Sequence, residues 1–564
     1  TATCFIASDA VQIGGGASTT WNGSTWSNGV PNSGMLAIID GNYDTSVHGS
    51  FSCCSLVVNS TYTLDIQAVD YVEIQYNLTV NGTLNVWDDG SLVQVDDAGV
   101  NIGNINYERI TTGVNLDYVY WSSPVSTVNT PTTGYIYRWN PTFANPNGGW
   151  GYWILSRNTP MEPGVGYIMR NIFSRNFTGV PRNGVIQPSI SRANYTGVDF
   201  VGNNGVTITN KDDNWNLVGN PYPSAISALD FLTLNTNIEG AVRIWTHGTT
   251  PSTSISDPVY DNYQYNYTVN DYIVYNGTGT VSGPGGFNGF IAGGQSFMIN
   301  MNDGATASET VTFNNSLRNR THNNEQFYRM SGANKVSNET EKHRIWLDLA
   351  NSNNNSTRTL VGYVSNATNN KDRLFDAITN AQSNEMGIYS IINNERMLIQ
   401  GRRLPFDNQD KVELGINIPI SGVYSIGLSA LDGLFSGTQE IYLEDKNLNI
   451  IHDLRSMPYS FIAEQGEFKN RFVLRYTNQA LGADDFVSDS EITIATLLNG
   501  FSITSNKQNI KAITIHNVLG QKVFEKKSID SNSVQILELI KNNQALILKI
   551  NLDNNKEITK KVIF

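Results

Sequence analysis

The chain has 564 residues, a length that corresponds to about four domains and excludes a single small core. Charged residues make up 15% of the chain and hydrophobic residues 40%, which excludes a coiled coil and a charge-driven disordered protein. The net charge of −13 comes without any Lys/Arg-rich tract, and this argues against nucleic-acid binding.

The charge is distributed unevenly along the chain. Residues 1–320 carry a net charge of −12 with a single Lys, and they hold nine of the ten Trp. Residues 321–490 carry −5, whereas residues 491–564 carry +4 with ten Lys and no Arg. Because such breaks in residue usage indicate segments under different constraints, the last segment is predicted to be a separate module with its own partner.

Three cysteines, Cys4, Cys53 and Cys54, lie near the start of the chain. Adjacent cysteines bond each other poorly, so either Cys4 forms a disulfide with one of the pair or all three are buried free thiols. Their spacing does not indicate zinc. No apolar run reaches the roughly 20 residues of a membrane-spanning helix. The chain begins without Met or a signal-peptide pattern, and we interpret it as the processed form of an exported protein.

Short alternating runs bounded by Gly, Asn, Asp and Pro recur throughout, and helical periodicity is almost absent. This pattern predicts an all-β protein of several domains. In residues 1–112 the runs are short and evenly spaced, with breaks at Asn81-Gly82 and Asp89-Gly90. They fit either successive hairpins or the rungs of a small parallel β-helix, and we favour the β-helix.

Residues 113–320 contain five stretches that recur later in the segment, such as 118–124 and 215–221, with an offset that grows from each matched pair to the next. Growing offsets are explained by loop insertions on a common strand order, so we interpret the segment as two related β-sandwich halves. The alternative is chance similarity among strands rich in Tyr, Trp and Gly.

The aromatic residues of this segment divide into two groups. Those that recur at matching places are predicted to fill the core, and they are Trp121, Trp139, Tyr167 and Trp245. Others lie on Gly/Asn-rich stretches and are candidates for an exposed surface that binds sugars or a protein. These candidates are Trp150, Trp153, Tyr260, Tyr263 and Tyr265.

The rest of the chain is predicted to form two further strand-rich modules. Residues 321–340 are polar and unpatterned, which is typical of a linker, and residues 341–478 are predicted to form a third sandwich with one helix near residues 372–382. A second linker is predicted over residues 479–490. In residues 491–564, Gly520 supplies the positive φ of a turn between two strands, and Ile513, Ile515 and Val523 are predicted to bury one face.

The sequence lacks the common catalytic motifs. It contains no HExxH, no GxSxG, no P-loop and no dinucleotide fingerprint, so no enzymatic activity is expected. A carboxylate pair brought together by the fold would not show in the sequence and stays open. Calcium is the one cofactor considered, with the alternative that these residues form ordinary turns. The candidate ligands are Asp88, Asp89, Asp96, Asp97, Asp212 and Asp213.

The end of the chain resembles a known family. Residues 510–527 (IKAITIHNVLGQKVFEKK) and the terminal LILKINLDNNKEITKKVIF resemble the type A C-terminal sorting domain of cargo proteins of the type IX secretion system of Bacteroidetes-type bacteria. The most specific part is NVLGQKV (517–523) together with the Lys-rich terminal strand. Residues 440–478 look like the sandwich that commonly precedes this domain, and residues 215–231 are similar to modules of the same surface proteins.

The resemblance implies an Ig-like β-sandwich over residues 491–564 that serves as an export signal. It implies export through the periplasm and outer membrane, with a translocon, a shuttle barrel and a surface sortase as partners and lipopolysaccharide attachment as an option. A +4 module on a −17 passenger could be steered at an anionic surface. The residues that this role assigns to recognition are Asn517, Leu519, Gly520, Gln521, Lys522, Lys556, Lys560 and Lys561.

We therefore expect a non-enzymatic cell-surface or secreted protein, adhesin-like or glycan-binding, whose C-terminal module directs its secretion. The alternatives are a secreted polysaccharide hydrolase and a structural component of a surface layer.

Overall fold

The computed structural model describes most of the chain. The described residues are 17–113, 115–145, 149–193, 200–201, 207–208, 214–246, 271–283, 286–304, 306–325, 327, 341–379, 385–478, 492–497, 500–505, 508–517, 520–537, 539, 545–554 and 557–564. They are nearly all β, which confirms the predicted fold class. The chain forms two compact units, Thr1–Asn478 and Gln479–Phe564.

The first unit begins with a three-sided parallel β-solenoid. Its strands pair in parallel to give the sheets β1-β2-β5-β8-β11, β4-β7-β10 and β3-β6-β9-β12. The β-helix interpretation is therefore confirmed and the hairpin alternative is wrong. The elements are β1 (Ser18–Trp21), β2 (Leu36–Ile39), β3 (Tyr43–Asp44), α1 (Thr45–His48), β4 (Phe51–Cys53), β5 (Ser55–Val58), β6 (Thr63–Ile66), β7 (Tyr71–Ile74), β8 (Leu78–Val80), β9 (Thr83–Val86), β10 (Ser91–Gln94), β11 (Asn101–Ile102) and β12 (Ile105–Ile110).

Stacking of equivalent residues explains why these short strands are stable. Leu64 pairs in register with Leu84 on the next rung, and both side chains are fully buried. Alternate residues point inward, and their side chains on adjacent rungs pack together and bury one another. Gly82 lies where rungs pass closely, since a Cβ there would come within 2.3 Å of the carbonyl oxygen of Asn59.

Two four-stranded antiparallel sheets follow the solenoid in the same unit, together with three two-stranded antiparallel sheets. The strand β17 pairs antiparallel with β12 and so caps the third solenoid sheet. The elements are β13 (Tyr118–Trp121), β14 (Ile136–Asn145), β15 (Gly149–Leu155), β16 (Tyr167–Arg170), β17 (Ser174–Gly179), β18 (Ser189–Ser191), β19 (Phe200–Val201), β20 (Thr207–Ile208), β21 (Trp215–Gly219), β22 (Ile226–Ser227), α2 (Ala228–Leu234), β23 (Val242–Trp245), β24 (Tyr272–Tyr275), β25 (Phe290–Ile291), β26 (Ser296–Asn300), β27 (Ser308–Thr310) and a 3₁₀ helix (Asn315–Leu317).

The two sheets have the same strand order, β13-β16-β14-β15 and β21-β26-β23-β24. The order places the matched sequence stretches on equivalent strands, which is the arrangement that a duplication predicts. The halves also contact each other. The Tyr120 ring stacks on Trp245 with 5.5 Å between centroids, and Trp139 Nε1 donates to the carbonyl oxygen of Trp215 at 2.7 Å.

The solenoid and the first sheet share one hydrophobic core, which runs from Trp21 to Phe327. Phe327 is 1% exposed and its ring lies 4.8 Å from that of Trp121. Asn324 is also buried and donates to the carbonyl oxygen of Gly90 at 2.7 Å. The prediction of a linker over residues 321–340 is thus wrong for its described residues, because this polar segment satisfies buried backbone groups of the solenoid.

Residues 341–478 form a single 11-stranded sheet, in the order β36-β35-β38-β33-β31-β32-β29-β28-β34-β37 with β30 paired to β32. The strands are β28 (Lys342–Asn351), β29 (Ser356–Val364), β30 (Ala377–Ile378), β31 (Gly387–Ile392), β32 (Glu395–Arg403), β33 (Lys411–Ile418), β34 (Gly422–Leu431), β35 (Tyr442–Asp445), β36 (Ile450–Asp453), β37 (Tyr459–Ala463) and β38 (Gly466–Arg475), and a 3₁₀ helix spans Gly433–Ser436.

The sheet curls until strands from its two ends face each other. Phe461 on β37 lies 4.9 Å from Phe472 on β38, although the two strands stand near opposite ends of the strand order. The predicted sandwich therefore consists of one continuous sheet around one core. The helix predicted near residues 372–382 is absent over its described residues, which form a turn and then β30.

The second unit is an antiparallel sandwich with its own core. Its strands form the sheets β39-β40-β43 and β42-β41-β44-β45. Ile513 and Ile515 are buried as predicted, but Val523 is 42% exposed, because a bulge puts Phe524 opposite Ile515. The strands are β39 (Ile492–Leu497), β40 (Gly500–Ser505), β41 (Ile510–Asn517), β42 (Lys522–Ser531), β43 (Ser533–Ile536), β44 (Ala545–Leu552) and β45 (Glu557–Ile563). The predicted linker over residues 479–490 lies outside the described residues.

Candidate functional site

The predicted recognition residues Asn517, Gly520 and Gln521 build the turn between β41 and β42. The Asn517 side chain donates to Gln521 Oε1 at 2.9 Å, and its Oδ1 accepts from the backbone N–H of Gln521 at 3.0 Å. Gly520 has φ +79°, a conformation that glycine adopts without strain. The described residues of the motif thus specify a self-bonded turn in which Gly520 and Gln521 are exposed. Leu519 lies outside the described residues.

Two of the predicted lysines stand on the outer face of the four-stranded sheet. Directly opposite residues of an antiparallel pair share a face, and His516 lies opposite both Lys522 and Ile547. Ile547 in turn lies opposite Lys561, so one row crosses all four strands. Lys560 lies opposite the buried Leu548 and is itself half-buried. Lys556 lies outside the described residues.

Carboxylates already neutralise part of this outer face. Lys522 and Lys527 lie 3.0 Å and 3.3 Å from Glu525, and their hydrogen bonds hold the pKa of that carboxyl below its usual range. Lys549 pairs with Glu557 at 3.2 Å. Within the described part of the chain, Lys561 has no carboxylate within ion-pair distance, so its ammonium is available to a partner.

The aromatic residues predicted to form an exposed surface are not exposed where the structure describes them. Trp153 is 7% exposed, so the prediction of an exposed ring is wrong for it. It lies opposite Trp139 in the β14–β15 hairpin and packs against that ring at 4.9 Å, because the hairpin register turns it toward the core. Trp150 is half-buried. Tyr260, Tyr263 and Tyr265 lie outside the described residues.

Most of the aromatic residues that were predicted to fill the core are buried there. Trp121, Tyr167 and Trp245 are at most 1% exposed, and Trp139 is partly buried. Their indole and phenol groups find partners inside the unit, as for Trp121 Nε1, which donates to the carbonyl oxygen of Ile172 at 3.1 Å. These rings therefore stabilise the duplicated sheets.

A different tryptophan is exposed. All ten tryptophans lie among the described residues, and Trp87 is the only exposed one, at 38%. It directly follows β9 in the third sheet of the solenoid. Its Nε1 donates to Asp65 Oδ1 at 3.0 Å, and Asp65 lies on the preceding rung in β6. The indole is therefore held over the outer face of the sheet β3-β6-β9-β12, which we call the ladder face.

Side chains on the ladder face form a hydrogen-bonded column. Asn85 Nδ2 donates to Asp65 Oδ1 at 2.8 Å, and Asn106 Nδ2 donates to Asn85 Oδ1 at 2.9 Å. Thr178 on the capping strand β17 donates to Asn106 Oδ1 at 2.9 Å. The register that stacks these residues also aligns Thr63 with Thr83. The result is a row of fixed polar groups, one per rung.

Sequence reasoning missed the ladder face, although a signal for it exists. The stretches TLDIQ (63–67) and TLNVW (83–87) resemble each other and occupy the same place on successive rungs. Their first and third positions point outward and the second and fourth inward, which the burial confirms. Trp87 was not a candidate because its exposure depends on the parallel register, which a strand pattern alone does not fix.

The cysteines are in two different states. Cys54 is disulfide-bonded, whereas Cys53 is a free, fully buried thiol. Burial raises the pKa of the Cys53 thiol, which keeps it protonated and unreactive. Cys4 lies outside the described residues.

The first pair of calcium candidates serves a buried cation. Asp88 and Asp89 lie 3.5 Å and 3.3 Å from the guanidinium of Arg109, which is fully buried. Their carboxylates thus compensate a charge that the fold has removed from water. In the described segments, no three His, Cys, Asp or Glu side chains converge on one point.

The other calcium candidates either have local partners or fall outside the described residues. Asp96 Oδ1 accepts from the backbone N–H of Ala98 at 2.8 Å, as in an ordinary turn. Asp97 Oδ1 accepts from the backbone N–H of Asn315 at 2.8 Å and so ties the 3₁₀ helix to the solenoid. Asp212 and Asp213 lie outside the described residues.

Comparison with known proteins gives two family matches. The model of a domain of unknown function, DUF8693, matches residues 13–476, and that of another domain of unknown function, DUF8694, matches residues 481–564. No curated protein matches the chain. None of the helices in the described part has the length and hydrophobicity needed to cross a bilayer. Since the first match covers well over half of the chain, the chain belongs to the DUF8693 family.

Proposed function

We propose that this chain is an exported cell-surface or secreted protein, whose second unit is the signal for type IX secretion and whose first unit is the passenger. The observation that carries this proposal is the independence of the second unit. Residues 479–564 form a separate compact unit with their own hydrophobic core, and a separate family model covers them. A signal that many passengers share must fold without help from its passenger.

The chemistry of the second unit supports recognition by an acidic partner. Residues 491–564 carry +4, whereas positions 1–490 carry −17. Lys522 and Lys561 are exposed on the same face of the sheet, and the exposed Gly520 and Gln521 directly precede Lys522. Complementary charge speeds the encounter of two proteins and selects the correct partner. The proposed partners are the outer-membrane translocon, its shuttle barrel and a surface sortase, with attachment to lipopolysaccharide as an option.

Secretion of variants in a bacterium that has the type IX system tests this role. The full chain should reach the surface or the medium, and the chain ending at Asn478 should stay in the periplasm. Reversing Lys556, Lys560 and Lys561 to Glu should leave the passenger folded but retained. A matched triple reversal of Lys511, Lys526 and Lys527 separates the position of the charges from their number. Normal export of the truncated chain would overturn the proposal.

For the first unit we propose an adhesin-like or glycan-binding role. A rigid solenoid that displays an exposed indole above fixed polar groups supports this role, since exposed aromatic rings are common anchors of recognition. A glycan array combined with a polysaccharide-degradation assay tests it. Saturable binding without product supports the proposal. Turnover would favour a secreted hydrolase, and self-association without any ligand would favour a surface-layer component.

A further inference from the structure

We propose that the ladder face binds a neutral polysaccharide chain, with the Trp87 ring stacked on a sugar and the polar column bonded to its hydroxyls. The inference rests on the proposed glycan-binding function of the first unit and assigns it a site. Four observations carry it: the exposed ring, its fixed orientation, the spare hydrogen-bonding capacity of the column, and the charge of the face.

The exposure of Trp87 leaves a large apolar ring in contact with water. At 38% it is the most exposed tryptophan of the chain, and it makes no ring–ring contact with the described aromatic residues. Covering such a ring with the apolar face of a sugar removes this area from water, which is favourable. The same indole on the inside of the solenoid would have stabilised the fold instead, as Trp21 does at 3% exposure.

The orientation of the ring is set before any ligand arrives. The bond from Trp87 Nε1 to Asp65 Oδ1 restrains the indole on the rung below. A ring that is already restrained loses less conformational freedom on binding, and this raises affinity. Asp65 is itself held by Asn85, so the restraint belongs to the column and not to a single flexible pair.

Among the described residues, the column has donors and acceptors at outward positions that no protein group uses. Asn85 uses one amide hydrogen and its carbonyl oxygen in the column, so a second amide hydrogen is left. The hydrogen bonds from Asn85 and Trp87 to the Asp65 carboxylate both end on Oδ1, which leaves Oδ2 as an acceptor. Sugar hydroxyls both donate and accept hydrogen bonds, and a row repeating at about 4.8 Å along the rungs suits an extended chain.

The charge of the face selects a neutral ligand. The outward positions of β6, β9 and β12 carry Thr, Asp, Asn and Glu and the exposed Ile110, without any Lys or Arg. The basic residue of β12, Arg109, is fully buried and points to the opposite side. An acidic polysaccharide or a phosphate group would meet Asp65 and Glu108 without a compensating cation, which disfavours it.

Affinity gel electrophoresis of the purified full chain tests the site. The neutral probes are xyloglucan, hydroxyethyl cellulose and laminarin, and alginate is the anionic probe. Trp87→Ala should weaken binding to the neutral polymer by at least about tenfold, the loss typical of a removed aromatic anchor. The control Tyr135→Ala removes another exposed ring, 53% exposed, and should leave the affinity within about twofold.

A second variant covers the case in which Trp87→Ala lowers stability. Thr83→Arg adds a long side chain at an exposed position of β9 and leaves both the indole and the core in place. It should block the neutral polymer as well. Thermal unfolding of each variant confirms that it is folded under the assay conditions.

The outcomes separate this site from the function on which it rests. If the native chain binds a neutral polymer and both variants bind it equally well, the site is wrong while the glycan-binding function stands. If the native chain binds none of the neutral polymers, both fail. Binding of alginate alone would overturn the neutral ligand and with it this proposal.

Discussion

Asp376 accepts a hydrogen bond from the backbone N–H of Gly401 at 2.9 Å, and the residue is only 5% exposed. Its carboxyl group accepts from the backbone N–H of Asp372 through the other oxygen. These two bonds hold the loop that contains Arg373. The Arg373 guanidinium donates to the carbonyl oxygens of Leu232 in α2 and of Asn235 and Ile238, which follow this helix. A buried carboxyl therefore supports the contact between the large sheet and the duplicated region.

This burial predicts a pH-dependent stability. Burial, aided by the nearby Asp372 carboxylate, raises the pKa of Asp376 from 3.8 to about 7. The two backbone hydrogen bonds and Lys371 act in the opposite direction but are outweighed. A raised folded-state pKa gives a stabilisation that is full below the unfolded value and is lost as the pH rises through 7. We expect the unfolding free energy of the native chain, relative to Asp376→Asn, to fall by about 4 kcal/mol between pH 4 and pH 8.

Urea unfolding of the two proteins at a series of pH values measures this difference. Below pH 4 the carboxyl is protonated in the folded and unfolded states, so the lowest pH isolates the effect of the amide itself. Parallel stability curves across the whole range would show that Asp376 does not titrate in this interval.

Arg318 is predicted to be a strong contributor to stability. Its guanidinium is buried and donates to the Leu92 carbonyl oxygen at 2.6 Å and to Ser224 Oγ at 2.9 Å. It also lies 4.6 Å from the Tyr222 ring centroid. Arg318→Met removes these donors and leaves buried acceptors without partners, and should cost about 3–5 kcal/mol of unfolding free energy.

The matched control for Arg318 is a neighbouring surface arginine. Arg320 is 46% exposed and pairs with Glu73 at 3.2 Å. Because exposed ion pairs contribute little, Arg320→Met should cost no more than about 1 kcal/mol. Chemical unfolding of the two variants side by side measures both, and equal losses would contradict the assigned role of Arg318.

Gly82 is predicted to be essential for the spacing of the solenoid rungs. A Cβ at this position would meet the carbonyl oxygens of Asn59 and Tyr62 at 2.3 Å and 2.4 Å. Since backbone atoms of an adjacent rung cannot move aside cheaply, Gly82→Ala should lower the unfolding free energy by about 2 kcal/mol or more. Gly304→Ala is the control, because nothing lies within 4 Å of its Cβ. Loss of stability in the control alone would contradict the argument.

The thiol of Cys53 is predicted to be inert in the folded protein. It is fully buried, and burial raises its pKa, so the reactive thiolate is neither accessible nor populated. Iodoacetamide should label Cys53 only after denaturation, whereas labelling of Cys54 should require a reductant as well, because Cys54 is disulfide-bonded. Peptide mass spectrometry distinguishes the two. Labelling of Cys53 under native conditions would falsify this prediction.

The parts of the fold that depend on local pattern could be predicted from the sequence. Short runs of period two with Asn81-Gly82 between them indicated the rungs, and the positive φ of Gly520 followed from its turn. The matching stretches placed Trp121 and Trp245 in the core. Each of these inferences needs only the residue and its near neighbours in the chain.

The parts that depend on long-range contacts could not. Phe327 is buried against Trp121, which lies far earlier in the chain, and nothing in its polar surroundings indicates this. Trp153 faces the core because of the hairpin register, and Trp87 faces water because of the rung register. A side chain on a strand changes face when the register shifts by one residue, so its exposure is a property of the pairing.

Thr63 and Thr83 lie at equivalent places on successive rungs, so the solenoid can be lengthened by whole turns. A second copy of residues 63–82 placed before Thr83 would pair with the rungs on either side as they now pair with each other. Every such insertion would lengthen the molecule by about 4.8 Å and add one more position to the outward column, while the ends keep their caps. Gene duplication can thus change the number of rungs, and with it the length of the solenoid, without changing the fold.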